Sequence, residues 1–178
     1  LDLLGQARHF LSYAAELTGS GDEDTLAFTR DERQFSNLLL VEQPNGNFAD
    51  TIARQFFIDV WHVALYSRLV NSRDAQLAAI AAKGLKEVRY HQRFSRGWLV
   101  RLGDGTETSA QKMQQAIDNL WRFTAELFDA DDVELALMDS MVVTTSCTVR
   151  PPASATLQAS WASSLAWRAW LALSVRPS

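Results

Sequence analysis

Apolar side chains recur every three or four residues along most of this chain, the spacing that gathers them on one face of an α-helix. The first run is Leu3, Leu4, Ala7, Phe10, Leu11, Ala14 and Leu17, closed by Gly19 and Gly21. It predicts a helix from the start of the chain with that run as its buried face. Residues 22–35 mix charges of both signs and predict one or two short helices with a solvated face. Residues 38–41 are apolar, and "QPNGN" at 43–47 predicts a turn or loop. A second long helix is expected over 50–70, burying Ile52, Phe56, Val60, Val63 and Tyr66. After a turn at 71–74, a third spans 75–102, with an apolar line through Leu77, Ile80, Ala81, Gly84, Leu85, Val88, Phe94 and Trp98.

"GDG" at 103–105 closes that helix, since glycine most cheaply takes the left-handed geometry at a helix end. Thr108 followed by Gln111 reads as a capping box that opens a fourth helix, about 109–129. That helix is expected to bury Met113, Ala116, Ile117, Leu120, Trp121, Thr124, Leu127 and Phe128. The fold class that follows is all-α, a helical bundle of long antiparallel helices with mostly short connections.

Composition narrows this picture without redirecting it. A chain of 178 residues that is 47% hydrophobic can build one domain with a real core. A net charge of −4 gives no argument for nucleic-acid or membrane-surface binding. Cys147 is the single cysteine, which excludes an internal disulfide and a thiolate metal cluster and fits a cytoplasmic protein. No stretch approaches the roughly eighteen apolar residues of a membrane-spanning helix. Asp2, Gln6, Arg8 and His9 interrupt any signal-peptide pattern. Leu1 stands in mid-helix with no initiator Met, so the true start is expected upstream.

The composition changes sharply near residue 138. Residues 140–178 contain no Asp, Glu, Lys or His, whereas all 21 acidic residues lie before them. They collect Ser, Ala, Arg150, Arg168, Arg176, three of the four prolines and three of the six tryptophans. A disordered linker rarely carries so many tryptophans. An amphipathic anchor over 161–173 would need a basic face, and only Arg168 lies there. The expectation is therefore a domain at 1–137 and an off-pattern tail at 138–178 produced by out-of-frame translation. Reading the coding DNA in its other two frames tests it.

The candidate chemistry lies on polar residues inside the helices. Asp2, Gln6, His9 and Tyr13 are spaced by four, three and four and form one strip of the first helix. The second helix carries Asp59-x-x-His62, and the third carries Glu87, Tyr90 and His91. A carboxylate-bridged di-iron centre in a bundle uses two single carboxylates and two Glu-x-x-His pairs. In Gln6-x-x-His9 a neutral amide stands where a bridging carboxylate is needed. After Glu87, the position of the imidazole is held by Tyr90, and His91 is turned about 100° around the helix axis. Only Asp59-x-x-His62 keeps carboxylate and imidazole at the right spacing. The pattern is that of a di-iron site with its ligands disarmed. The histidines are expected to pack and hydrogen-bond between helices, and Asp59 and Glu87 to pair with cations, Lys83 being one turn from Glu87.

Long stretches also resemble a known family. "GQARHFLSYAAEL", "DEDTLAFTRDERQFSNLLLVEQPNGNFADTIARQFFIDVWHVALYSRL", "KEVRYHQRFSRGWLVRLGDGT" and "WRFTAELFDADD" are similar to the family of the C subunit (PaaC) of bacterial ring-1,2-phenylacetyl-CoA epoxidases. The resemblance covers nearly all of 1–137 and stops at the tail. It implies a ferritin-like helical bundle, here missing its first helix and its C-terminal helices, that has lost its iron ligands. It implies pairing with the catalytic, di-iron-holding A subunit of the epoxidase, in aerobic phenylacetate breakdown. Other epoxidase subunits would deliver electrons from NADPH. On that reading the chain is a non-catalytic accessory subunit of a monooxygenase, with no catalytic residue and no cofactor of its own, and with neither nucleic acid nor membrane as partner. Asp2, Gln6, His9, Asp59, His62, Glu87 and His91 are its vestigial di-iron-site positions. The rival is a self-sufficient ferritin-like di-iron oxidase or iron binder. A helical adaptor outside phenylacetate metabolism is a third reading.

Overall fold

The computed structural model describes residues 1–19 and 21–129, and over them the secondary structure is helical throughout. Helix α1 spans Asp2–Thr18, α2 Glu23–Phe28, α3 Phe48–Leu69, α4 Ala75–Gly103 and α5 Glu107–Trp121. Single 3-10 turns at Glu32–Gln34 and Ala125–Phe128 complete the list. The all-α expectation holds, while the off-pattern tail lies outside the described residues. None of the described helices is long and apolar enough to cross a membrane.

Helix starts are set by side chains that satisfy otherwise unpaired backbone amides. At α3, Asn47 Oδ1 accepts from the Ala49 and Asp50 amides at 2.8 and 3.4 Å, and Asp50 Oδ2 accepts from the Asn47 amide at 2.8 Å. The helix thus begins two residues earlier than its apolar spacing suggests. Asn47→Ala should lower the free energy of unfolding by about 1 kcal/mol, read by urea titration. Asp74 caps α4 by accepting from the Leu77 amide at 2.9 Å.

At α5 the capping residue is Thr106, which accepts from the Ser109 amide at 3.2 Å. The box predicted from Thr108 and Gln111 does not form. Thr108 already lies within the helix, and Gln111 donates to Glu107 at 3.2 Å instead. The helix also stops at Trp121, short of 129, where Thr124 Oγ1 donates to the Trp121 carbonyl at 2.7 Å and competes with the helical ladder. Beyond it, the Ala125–Phe128 turn is tied back by Trp61 Nε1 donating to the Leu127 carbonyl at 2.9 Å.

Helices α3 and α4 share the main packing face, and α5 lies against both. Ile52, Phe56, Phe57 and Tyr66 of α3 are buried, as is a stripe of α4 that runs Ala81, Gly84, Val88, Ser95 and Leu99. Tyr66 and Leu69 cluster with Ala81 and Val88, and Phe57 packs edge-on against Trp121 of α5. Met113, Ala116, Ile117 and Leu120 of α5 are also buried. Val60 and Val63 are only half-buried, and Trp121 is exposed, so these depart from the predicted core. Phe94 is 53% exposed because Ser95, one residue and about 100° further round, holds the inward position.

Helix α1 departs most from its sequence pattern. Its apolar run predicts Leu3, Leu4 and Leu17 inside, yet all three are exposed, Leu4 by 74%. Gln6 and Ala15 are buried instead. The polar strip faces the bundle because each of its members finds a partner there.

Candidate functional site between α1, α3 and α4

Helices α1 and α4 run antiparallel, so from Asp2 to Tyr13 rising numbers on α1 meet falling numbers on α4 and its capping residue. Asp2 Oδ2 lies 3.2 Å from His91 Nε2, and Gln6 Nε2 donates to Glu87 Oε2 at 2.7 Å. His9 Nε2 lies 2.7 Å from Lys83 Nζ, and Tyr13 donates to Asp74. Gln76 Nε2 donates to Glu16 Oε2 at 3.1 Å. Each helix repeats its polar residue at intervals of about one turn, which makes this ladder possible. The ion pair expected between Lys83 and Glu87 is replaced by contacts across to α1.

Gln6 is the joint of the site. Only 7% exposed, its amide is used at both ends: Nε2 on Glu87, and Oε1 accepting from the Tyr66 hydroxyl at 3.0 Å. One side chain thereby links α1, α3 and α4. Tyr66 reaches it across Gly84, where a Cβ would stand 2.6 Å from Tyr66 Cε2. Burial raises the Tyr66 phenol, with the Glu87 carboxylate as a smaller contribution. A cleft of about 180 Å³ opens beside Gln6, lined by Asp2, His9, Lys83 and Glu87 among others.

Asp59 and His62 are not among the residues lining that cleft. Asp59 is 1% exposed, with Ser95 Oγ donating to Oδ2 and Gln55 Nε2 to Oδ1, both at 2.7 Å. Burial raises its carboxyl, outweighing the two donated hydrogen bonds and the nearby His91. The His62 ring packs between Trp61 and Tyr66, at 5.2 and 5.7 Å between centroids. Burial, then His91, pushes its imidazole down to about 4.

Of the seven positions read from sequence, Asp2, Gln6, His9 and Glu87 therefore share the cleft, His91 joins through Asp2, and Asp59 with His62 stands apart on α3. Sequence reasoning missed Ser95, Gln55 and the role of Tyr66. Gln55 was findable, since it lies four residues before Asp59 on one helix.

These residues do not fit a di-iron centre. Both Asp59 oxygens accept bonds from neutral donors, both ends of the Gln6 amide are engaged, and a lysine amine sits on His9. Among the described residues no three His, Cys, Asp or Glu side chains converge as a metal site would require.

Comparison with known proteins gives the family of the chain. The family model described as "Phenylacetic acid catabolic protein" matches residues 1–175. That match continues into the segment where the resemblance read from the sequence stops. The C subunit of the 1,2-phenylacetyl-CoA epoxidase of Escherichia coli (strain K12) is 75% identical over 150 residues, 84% of this chain and 60% of that protein. The chain thus spans about 60% of the length of that curated relative.

Proposed function

Because this chain belongs to the phenylacetic acid catabolic protein family, we propose that it is a non-catalytic subunit of a phenylacetyl-CoA epoxidase. Its ferritin-like helices would brace the catalytic di-iron A subunit, and other subunits of the complex would bring electrons from NADPH. The chain itself would hold no iron. The observation that carries this reading is Gln6, whose amide occupies both a phenol and a carboxylate where a metal-holding bundle would present a bridging oxygen. Leaving the buried Gln6 amide unpaired would cost about 1–3 kcal/mol, so its bonds to Glu87 and Tyr66 support the bundle without metal. Asp2, Gln6, His9, Asp59, Glu87 and His91 act in this reading as helix-to-helix fasteners, and His62 as a ring packed within α3.

Two measurements test it. Metal analysis of the purified chain should find no stoichiometric iron, and about two tightly held irons per chain would favour a self-sufficient oxidase or iron binder. In the reconstituted epoxidase, Gln6→Leu with His9→Gln should lower thermal stability but leave turnover of phenylacetyl-CoA unchanged once the complex is saturated with this chain. Turnover abolished in an intact complex would overturn the reading.

A further inference from the structure

The outer face of α4 carries Lys86, Arg89, Arg93 and Arg96, spaced by three, four and three residues. Such spacing aligns them in one stripe about 15 Å long. All four are exposed, and none has an ion pair or hydrogen bond among the described residues. The other cations of this part of the helix are engaged: Lys83 meets His9, and Arg101 lies over the Trp98 ring at 5.3 Å. The nearby carboxylate, Glu87, is turned away and holds Gln6. Tyr90 and Phe94, 58% and 53% exposed, stand beside the stripe.

Four cations on one face, unneutralised among the described residues, raise their own local repulsion. Arginine and tyrosine beside one another are the composition of interface anchors. A helix exterior is convex, whereas small molecules bind in concave sites, so the shape suits a macromolecule. The acidic balance of the rest of the chain opposes a long polyanion such as duplex DNA.

We propose that the Lys86–Arg89–Arg93–Arg96 stripe of α4 docks an acidic protein surface on another component of the epoxidase. This rests on the reading of the chain as an epoxidase component given above. Association there is electrostatically steered and loosens with salt.

The test uses the purified components of the complex. Arg89→Glu with Arg93→Glu should weaken binding of one component by about tenfold or more, and Arg89→Lys with Arg93→Lys should largely retain it. Raising NaCl from about 0.05 M to about 0.5 M should weaken the unaltered chain comparably. A zero-length carbodiimide should join Lys86 to a partner Asp or Glu, and the same salt should suppress that link. The helical circular-dichroism signal serves as the control that the variant is folded. Affinity unchanged by charge reversal for every component that the unaltered chain binds would overturn the stripe and leave the proposed function standing. An unaltered chain that binds none of the components would overturn both. Stripe-dependent binding to duplex DNA or to anionic vesicles instead would overturn the protein partner.

Discussion

Acidifying the solution from 6.5 toward 4 should remove about 3 kcal/mol of folding stability through His62 alone. The folded protein holds this imidazole neutral, chiefly by burial, while the unfolded chain protonates it at its ordinary value of 6.5. Between the two values the unfolded state binds more protons, so stability is full above 6.5 and declines as the pH falls to about 4. Asp59 works in the opposite sense. Its carboxyl is raised above 3.8, so protonation in the folded state favours folding just above that value. Urea titrations at successive pH values give the profile. His62→Phe keeps an aromatic ring between Trp61 and Tyr66, and should flatten the decline between 6.5 and 4. A variant that keeps the full slope would show that another group carries it.

Gly84→Val should destabilise the protein by about 3 kcal/mol, the upper part of the range for overpacking a core. The Tyr66 ring passes within van der Waals reach of the α4 backbone, and a Cβ at position 84 would sit 2.6 Å from Cε2. The ring has little room to retreat, being buried with Leu69, Ala81 and Val88 and packed on Phe10. Displacing it also breaks its hydrogen bond to Gln6, and with that the link from α3 to α1. Gly84→Ala should show a smaller loss, because alanine recovers about 1 kcal/mol of helix propensity. Combining Gly84→Val with Tyr66→Ala separates this account from a general weakening of α4. The two losses should be far from additive if the ring is what the valine strikes. Additive losses would place the strain elsewhere.

The helices themselves were readable because apolar spacing reports which residues share a face. That is why α3 and α4 emerge near their observed bounds, with Asn71 to Asp74 between them. Helix ends were less readable, since they depend on local competitors. Thr106 rather than Thr108 caps α5, and Thr124 helps end it early. The missing bridging carboxylate at Gln6 was also visible in the residues alone. Its partners were not, because they come from Glu87 and Tyr66, far away in the chain.

The sequence by itself determined an all-α chain whose polar strip on α1 could not supply a bridging carboxylate at Gln6. Only the tertiary structure decided that this strip faces inward while Leu3 and Leu4 face outward. It likewise decided that Lys83 meets His9 rather than Glu87, and that Ser95 and Gln55 satisfy Asp59. Periodicity says which side chains lie together on a helix. What that face meets depends on the donors, acceptors and space that other helices bring, and these exist only once the chain has packed.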